Sequence, residues 1–118
     1  MNYIVLLTAC LFLSVNLEAQ RSIRLYNKGV AATQASKYDE AICFFSKAIH
    51  LNPKLQHAWY NRGWAKSRIG NYIEAIADYT CAIAIDSSFA PAWLNRGADK
   101  KELGDYEGAI NDYTKAIH

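Results

Sequence analysis

WYNRGWAKSRIGNYIEAIADYTCA, residues 59–82, is the stretch that decides the fold. It begins with a large aromatic residue, Trp59, four positions before Gly63, and residues at that spacing lie on one face of an α-helix. Gly70-Asn71 then supplies residues that typically end a helix and form a turn. A second apolar stripe follows with the i, i+4, i+7 spacing of another helix: Ala75, Tyr79 and Ala82. The stretch therefore predicts two helices joined by a tight turn.

The same pattern occurs on both sides of this stretch at an offset of 34 residues. Six positions agree in three copies without insertion or deletion: Leu25/Trp59/Trp93, Gly29/Gly63/Gly97, Tyr38/Tyr72/Tyr106, Ala41/Ala75/Ala109, Phe45/Tyr79/Tyr113 and Ala48/Ala82/Ala116. A repeated unit of this size buries its apolar face by stacking on its neighbours. We therefore expect most of these aromatic side chains to pack in the core, and the glycines to mark close backbone approaches.

This repeat resembles the tetratricopeptide repeat, whose pattern is Trp-x2-Leu-Gly-x2-Tyr, then Ala-x3-Phe, then Pro. The resemblance covers residues 22–55, 56–89 and 90–118, and the third copy is incomplete. It implies an all-α fold: an α-solenoid of three stacked antiparallel helix hairpins in a right-handed superhelix. The expected helices span residues 22–35, 38–51, 56–69, 72–85, 90–103 and 106–118. The chain departs from the pattern at the Leu position, which holds Lys28, Arg62 and Arg96, and keeps the inter-repeat proline only as Pro53.

Composition and charge argue against several classes of function. The formal net charge of the 118 residues is only +2, and basic and acidic residues alternate, so we expect no nucleic-acid partner. The carboxylates are expected on exposed helix faces. His50, His57 and His118 lack the spacing of metal ligands, and no glycine-rich phosphate loop is present. The sequence therefore predicts no enzyme, no metal site and no cofactor.

The resemblance implies that the first helix of each hairpin lines a concave groove. Asparagine stands two residues before the repeat glycine in every copy: Asn27, Asn61 and Asn95. An amide donates and accepts hydrogen bonds at once, which suits the backbone of an extended peptide. The three residues resemble the asparagine ladder by which some tetratricopeptide arrays hold peptides. The alternative is that each amide satisfies a neighbouring helix carbonyl or faces water.

Neighbouring groove positions predict the specificity for a peptide or a partner's helix. The candidates are Tyr26, Tyr60, Trp64, Arg68 and Lys101. Trp64 lies outside the packing positions and is expected to be a binding anchor, with packing against the preceding hairpin as the alternative. Arg68 and Lys101 are candidate anchors for an acidic group. The clamp of chaperone-binding family members (Lys, Asn, Asn, Lys, Arg) is matched only at Asn61, which disfavours the acidic tails of cytosolic chaperones.

The N-terminal segment differs from the repeats. Residues 4–15 are almost wholly apolar, shorter than the roughly 20 residues of a membrane span. We expect residues 1–19 to be a bacterial-like export signal cut before Gln20, giving a periplasmic or secreted protein, although no Lys or Arg precedes the apolar run. The alternatives are a membrane anchor formed by residues 4–17 and a buried N-terminal helix. A lipobox at Leu7-Thr8-Ala9-Cys10 is disfavoured because it lies in the middle of the apolar run.

Two further expectations concern the rest of the chain. Cys43 and Cys81 fall at different repeat positions, so we expect small apolar fillers and not a disulfide. His118 falls at repeat position 29, which leaves an exposed face beside Tyr113 and Ile117. This face suggests a second function, a self-assembling homo-oligomer; the chain as an N-terminal fragment of a larger protein is a further alternative.

Overall fold

The computed structural model describes residues 2–118, so Met1 of the expected signal lies outside the described residues. The elements are α1 (Tyr3–Gln34), α2 (Tyr38–Leu51), α3 (Gln56–Arg68), α4 (Tyr72–Ile85), α5 (Ala90–Glu102) and α6 (Tyr106–Ile117). They pair as the hairpins α1/α2, α3/α4 and α5/α6, which stack into a body of 65 × 31 × 19 Å. The predicted all-α solenoid of helix hairpins is confirmed.

The turns within the hairpins depend on residues that tolerate a left-handed backbone. Gly70 and Gly104 have φ angles of 84° and 85°, and Ser36 takes the same place in the first hairpin with φ 58°. Glycine adopts this conformation without steric cost, whereas serine does so less readily. The two turns between hairpins use side chains instead, since Asn52 and Asp86 accept hydrogen bonds from backbone N–H groups two residues later.

Helix α1 is longer than the sequence analysis predicts. The expected helix begins at residue 22, but α1 runs through 32 residues from Tyr3 without interruption. No glycine or proline occurs before Gly29, so nothing in the sequence ends the helix between the apolar segment and the first repeat. Residues 2–21 are exposed, which contradicts the alternative of a buried N-terminal helix. By length and composition, α1 is apolar enough to cross a membrane.

In the core of each hairpin, an aromatic ring of the second helix packs directly on a glycine of the first helix. Phe45 and Tyr79 are 0% exposed. A methyl group added to Gly29 would lie 2.5 Å from Cε1 of Phe45, and one added to Gly63 would lie 3.0 Å from Cε1 of Tyr79. These contacts leave no room for a side chain. A close approach at the repeated glycines is therefore present, but an aromatic side chain of the second helix makes it, and not the helix backbone that the sequence analysis predicts.

The expectation that the carboxylates are exposed is wrong for three aspartates. Asp78, Asp99 and Asp112 are 3%, 4% and 2% exposed. Arg62 donates two hydrogen bonds of 2.8 Å to Asp78, and Arg96 donates two of 2.9 and 2.7 Å to Asp112. A buried carboxylate is tolerated when a guanidinium pairs with it in this bidentate geometry. The arginines occupy the leucine position of the repeat, so an ion pair replaces an apolar contact there.

The cysteines differ from their predicted role as fillers. Cys43 is exposed on α2, and Cys81 is half-buried on α4. Both are free thiols. Cys81 is therefore partly enclosed, as expected of a small packing residue. Cys43 faces solvent and is not a packing residue.

Candidate functional site

The candidate groove residues lie on the first helices of the three hairpins. Helix α3 contacts both α1 and α5 directly, so these three helices lie side by side. We name their shared face the first-helix surface, defined by Tyr26, Asn27, Tyr60, Asn61, Trp64, Arg68, Asn95 and Lys101. Each of these side chains is exposed or half-buried. All of them are therefore partly open to solvent, although they do not form one compact cluster.

Two of the asparagines bridge neighbouring repeats. Nδ2 of Asn61 donates to Oη of Tyr26 at 3.0 Å, and Nδ2 of Asn95 donates to Oη of Tyr60 at 2.6 Å. We name these two hydrogen bonds the Tyr–Asn rungs. Burial raises the pKa of Tyr60, and the hydrogen bond from Asn95 opposes that rise. The partner of each amide is thus a tyrosine hydroxyl of the preceding repeat, which the sequence analysis did not anticipate.

The rungs fix the amides without using all their hydrogen-bonding capacity. A primary amide has two N–H groups and a carbonyl oxygen. The rung uses one N–H group of Asn61 or Asn95, so the other N–H group and the oxygen can serve a ligand. Asn27 is exposed and has no rung among the described residues. The asparagines therefore offer paired donor and acceptor groups, held in the same way at two successive repeats.

An aromatic and cationic cluster lies where α3 meets the preceding hairpin. The ring of Trp64 contacts the ring of Tyr38 edge-on at 5.9 Å. The guanidinium of Arg68 lies 5.5 Å from the Trp64 ring and 6.0 Å from the Tyr38 ring. Polar contacts with Ser36 and Arg68 lower the pKa of Tyr38. Trp64 therefore packs on the preceding hairpin through one edge, while the remainder of this half-buried ring stays accessible.

Tyr38 belongs to this cluster although the sequence analysis assigned it only to packing. Its position holds tyrosine in all three repeats, so the residue itself carries no distinguishing signal. The signal lies in its neighbours, since the places of Trp64 and Arg68 are taken by Ala98 and Glu102 in the third repeat. The cluster is therefore specific to the contact between the first and second hairpins.

The cations of this region fall into two groups. Lys66 lies 3.1 Å from Asp78, and Lys100 lies 3.1 Å from Asp112, so both are engaged in ion pairs. Arg68 and Lys101 are exposed and make no ion pair within residues 2–118. Both side chains are therefore available to an anionic ligand. No direct contact joins them in the part of the chain that the structure describes.

A buried polar cluster lies beneath the surface between α3, α4 and α5. Oγ of Ser67 donates to Oδ1 of Asp99 at 2.8 Å. Burial raises the pKa of Asp99, the hydrogen bond from Ser67 opposes the rise, and the charge of Glu102 adds to it. Within residues 2–118, Oδ2 of Asp99 and Oη of Tyr79 have no hydrogen-bond partner. The sequence analysis missed this cluster because Ala65 stands at the position of Asp99 in the second repeat.

Two apolar clefts adjoin the first-helix surface at its ends. The first measures about 340 Å³ and is lined by Ile23, Tyr26, Asn27 and Leu55 among others. The second measures about 560 Å³ and lies at the last hairpin, beside Leu94. Among residues 2–118 no group of three metal-ligating side chains occurs. The surface thus combines apolar clefts, fixed amides and exposed cations, which are groups that can bind a peptide.

Comparison with known proteins agrees with this geometry. Two tetratricopeptide repeat family models match the chain, one at residues 57–89 and the other at residues 24–55 and 90–117. No curated protein matches it. The first TPR of Spaghetti (RPAP3), bound to the HSP90 peptide SRMEEVD, is similar with 30% identity over 84% of this chain and 79% of that chain, at a TM-score of 0.82.

Two more solved structures have the same arrangement. The Arabidopsis OM64 TPR domain is 29% identical over 85% of this chain and 83% of its own, at a TM-score of 0.83. The second TPR of Spaghetti (RPAP3), bound to the same HSP90 peptide, is 28% identical over 84% and 92%, at a TM-score of 0.82. The similarity thus extends over most of this chain and most of each of these chains.

Proposed function

The chain belongs to the tetratricopeptide repeat family, and on that premise we propose that its first-helix surface binds an extended peptide or a helix of a partner protein. The family's fold is typical of interaction modules and not of catalysts. The observation that carries the proposal is the pair of Tyr–Asn rungs, which hold Asn61 and Asn95 in one orientation. An amide that is already held in one orientation loses little side-chain entropy when it binds a peptide backbone.

The chemistry of the surface favours a ligand with an acidic group next to an apolar or aromatic side chain. Arg68 is exposed, and its guanidinium lies against the rings of Trp64 and Tyr38. A guanidinium held in this way presents its donors to a carboxylate with little loss of entropy. Lys101 provides a second exposed cation on α5. Trp64 supplies the apolar contact beside the first cation.

The HSP90 peptide bound by two similar structures is acidic, which supports this class of ligand. Those structures do not identify the partner of this chain, because tetratricopeptide arrays share an architecture and differ in their partners. Of the chaperone clamp, only Asn61 is present here. We therefore propose the chemical class of the ligand, an acidic peptide, and not that particular peptide.

Binding of a peptide library tests the proposal. The probes are peptides with one aromatic and two acidic residues, and matched peptides with amides in place of the carboxylates. Arg68→Glu introduces the charge that Glu102 carries in the third repeat, and we expect it to weaken binding of the acidic peptides about tenfold or more. Lys47→Glu makes the same charge change on α2 and should leave affinity unchanged. Equal effects of the two substitutions would contradict the proposal.

A second measurement separates backbone recognition from charge. In the triple variant Asn27→Ala, Asn61→Ala and Asn95→Ala, Arg68 and Trp64 are intact. If the amides bind the peptide backbone, this variant loses affinity for acidic and neutral peptides alike. Capture that is unchanged for the whole library would exclude the asparagines from binding. Circular dichroism checks that the triple variant keeps its helices.

We also propose that the array is exported, with residues 1–19 removed. The support is the largely apolar segment of residues 3–17, whose residues are all exposed. The test is the intact mass of protein made in an export-competent bacterial host. A mature chain that begins at Gln20 supports export. A full-length chain that stays with the membrane supports the alternative of an anchor formed by residues 4–17, and overturns cleavage.

A further inference from the structure

An open cleft lies between α1 and α3 at the N-terminal end of α3. It measures about 340 Å³ and is lined by Ile23, Tyr26 and Asn27 of α1 and by residues 54–58 around the start of α3. None of these lining residues is acidic. We name this space the α1/α3 cleft. Because it adjoins the first-helix surface, a ligand bound to that surface can reach into it.

The α1/α3 cleft is open because of the size of one side chain. At the second junction, the ring of Phe89 contacts the rings of Tyr60 and His57 edge-on at 5.0 and 5.2 Å. The residues 34 positions before Tyr60 and His57 line the cleft, but the residue 34 positions before Phe89 is Leu55. A leucine does not fill the volume of a phenylalanine ring. The cleft is therefore a feature of the first junction and not of the repeat as such.

Two polar groups of the cleft lack a partner. Nε2 of Gln56 is buried and has no hydrogen-bond partner within residues 2–118. Lys54 is exposed and makes no ion pair in the same part of the chain. A buried N–H group without an acceptor costs free energy, and a ligand oxygen in the cleft removes this cost when the side chain of Gln56 turns towards it. A donor and a cation two residues apart favour a carboxylate as the ligand group.

The cleft and Arg68 lie at opposite ends of the same face of α3. Gln56 and Arg68 are the first and last residues of this helix, and twelve residue steps place their backbones about 18 Å apart. The face runs from His57 of the cleft through Asn61 and Trp64, because residues three, four and seven positions apart share one side of a helix. An extended peptide advances about 3.3 Å per residue, so about five or six residues bridge the distance.

We propose that the α1/α3 cleft binds a second carboxylate of the acidic peptide, so that the ligand carries two acidic residues five or six positions apart with an apolar residue between them. This inference rests on the proposed function and adds a spacing to it. Lys54 pairs with the second carboxylate, and Gln56 donates a hydrogen bond to it. Arg68 binds the first carboxylate, and Trp64 contacts the apolar residue. The peptide then lies along α3, where Asn61 faces its backbone.

Synthetic peptides with capped termini test the spacing. Each contains an aromatic residue two positions from its first acidic residue, because Trp64 and Arg68 are about 6 Å apart along α3. The second acidic residue stands three, five, six or nine positions from the first, beyond the aromatic residue, and a matched peptide carries glutamine there. Every sequence is also made in reversed order, since either chain direction presents the same spacing.

Fluorescence anisotropy with the full chain gives the Kd of each peptide. We expect a spacing of five or six to bind about tenfold more tightly than the matched glutamine peptide, because a carboxylate paired with a cation forms strong hydrogen bonds. The other spacings should show no such gain, since their second carboxylate does not reach the cleft while the first contacts Arg68.

Three variants of the protein locate the second carboxylate. Lys54→Ser and Gln56→Ala introduce the residues found at the same positions of the next repeat, and Leu55→Phe introduces the ring found there. Each should remove most of the gain and leave the Kd of the glutamine peptide unchanged. Lys47→Ser removes an exposed cation of α2 instead and should keep the gain. Circular dichroism checks that every variant keeps its helices.

The outcomes separate this inference from the proposed function. A gain that is equal at every spacing, or that survives in Lys54→Ser and Leu55→Phe, would overturn the second carboxylate site. Weaker binding of the glutamine peptide by Arg68→Glu would still support the first carboxylate site in that case. If no acidic peptide binds the wild type, both the proposed function and the second site are wrong.

Discussion

The junction between the first and second hairpins and the junction between the second and third share one backbone arrangement but differ in side chains. At the first junction, Phe45 and Ala65 make an apolar core, and the equivalent residues of the second junction are Tyr79 and Asp99. On the first-helix surface, Trp64 and Arg68 of the first junction correspond to Ala98 and Glu102 of the second. All differences arise from substitutions within an unchanged 34-residue repeat.

The comparison shows that the same repeat backbone can carry a surface cluster suited to binding at one junction and buried polar groups at the other. The first junction keeps its interior apolar and places an aromatic and cationic cluster on the surface. The second junction contains the half-buried Ser67 with the buried Tyr79 and Asp99, and it carries Ala98 and Glu102 where the first junction carries Trp64 and Arg68. Because stacked repeats contact only their neighbours, each junction can change without altering the other. We therefore expect substitutions to act locally.

The largest effect should come from making the first junction resemble the second. Ala65→Asp introduces a carboxylate beside Phe45. Thr33 holds the position of Ser67 in the preceding repeat, but its hydroxyl already donates to the carbonyl oxygen of Gly29. Burying a charge without a free donor should lower the free energy of unfolding by about 3 kcal/mol, which corresponds to a loss of roughly 10 °C in Tm. Thermal unfolding followed by circular dichroism measures this. Ala84→Asp, on an exposed position of α4, is the control, and an equal loss in both would contradict the assignment of Ala65 to a closed core.

A smaller, pH-dependent effect should come from removing the buried carboxylate of the second junction. Burial raises the pKa of Asp99, so its contribution to stability is fully present below about pH 3.9, the usual pKa of aspartate, and is lost as pH rises through the raised value. Asp99→Ala should therefore become more stable than the wild type as pH rises from 4 to 8. We expect a gain on the order of 1 kcal/mol at neutral pH. Urea unfolding at pH 4, 6 and 8 measures it.

Asp112 provides the control for that experiment because its pKa shifts in the opposite direction. Burial alone would raise the pKa of Asp112, but hydrogen bonds from Arg96 and Lys100 outweigh burial and lower it. Its contribution is present above the usual aspartate pKa and is lost as pH falls through the lowered value. Asp112→Asn should therefore lose stability relative to the wild type at neutral pH. If Asp99→Ala and Asp112→Asn changed the free energy of unfolding in the same direction at neutral pH, the opposite pKa shifts of the two aspartates would be contradicted.

The smallest effect should come from breaking single Tyr–Asn rungs. Tyr26→Phe and Tyr60→Phe each remove one hydroxyl that accepts a hydrogen bond from an asparagine of the next repeat. Each should lower the free energy of unfolding by about 1 kcal/mol or less, the usual net value of one hydrogen bond. Tyr72→Phe is the matched control, since this half-buried tyrosine belongs to neither rung. A loss as large for Tyr72→Phe would show that the rungs add nothing.

The repeat positions predict most of the fold because the residue at each of them has a local physical role. Gly70 and Gly104 marked the turns through their backbone freedom, and Gly29 and Gly63 marked close approaches through the absence of a side chain. The sequence analysis failed where a residue departs from the repeat. Arg62 and Arg96 gave no sign of their aspartate partners, because each partner lies 16 residues away on the other helix of its hairpin.

The candidate site was predictable in part. The resemblance to the family placed Asn61, Trp64 and Arg68 on the first helices, and the structure adds what each one contacts. Tyr26 and Asn61 lie 35 residues apart in sequence, so their hydrogen bond follows only from the stacking of two hairpins. The pairing of Trp64 with Tyr38 depends on the same stacking. Sequence spacing predicts which residues share one face of a helix, but it does not predict which residues of different hairpins contact each other.

By itself, the sequence determined the repeat length, the hairpin as the unit and the positions of the turns, because these follow from helical periodicity and local backbone preferences. Only the tertiary structure decided which polar groups are buried and how the asparagines are held. The reason is that burial is a property of two packed surfaces, whereas the repeat pattern specifies only one of them.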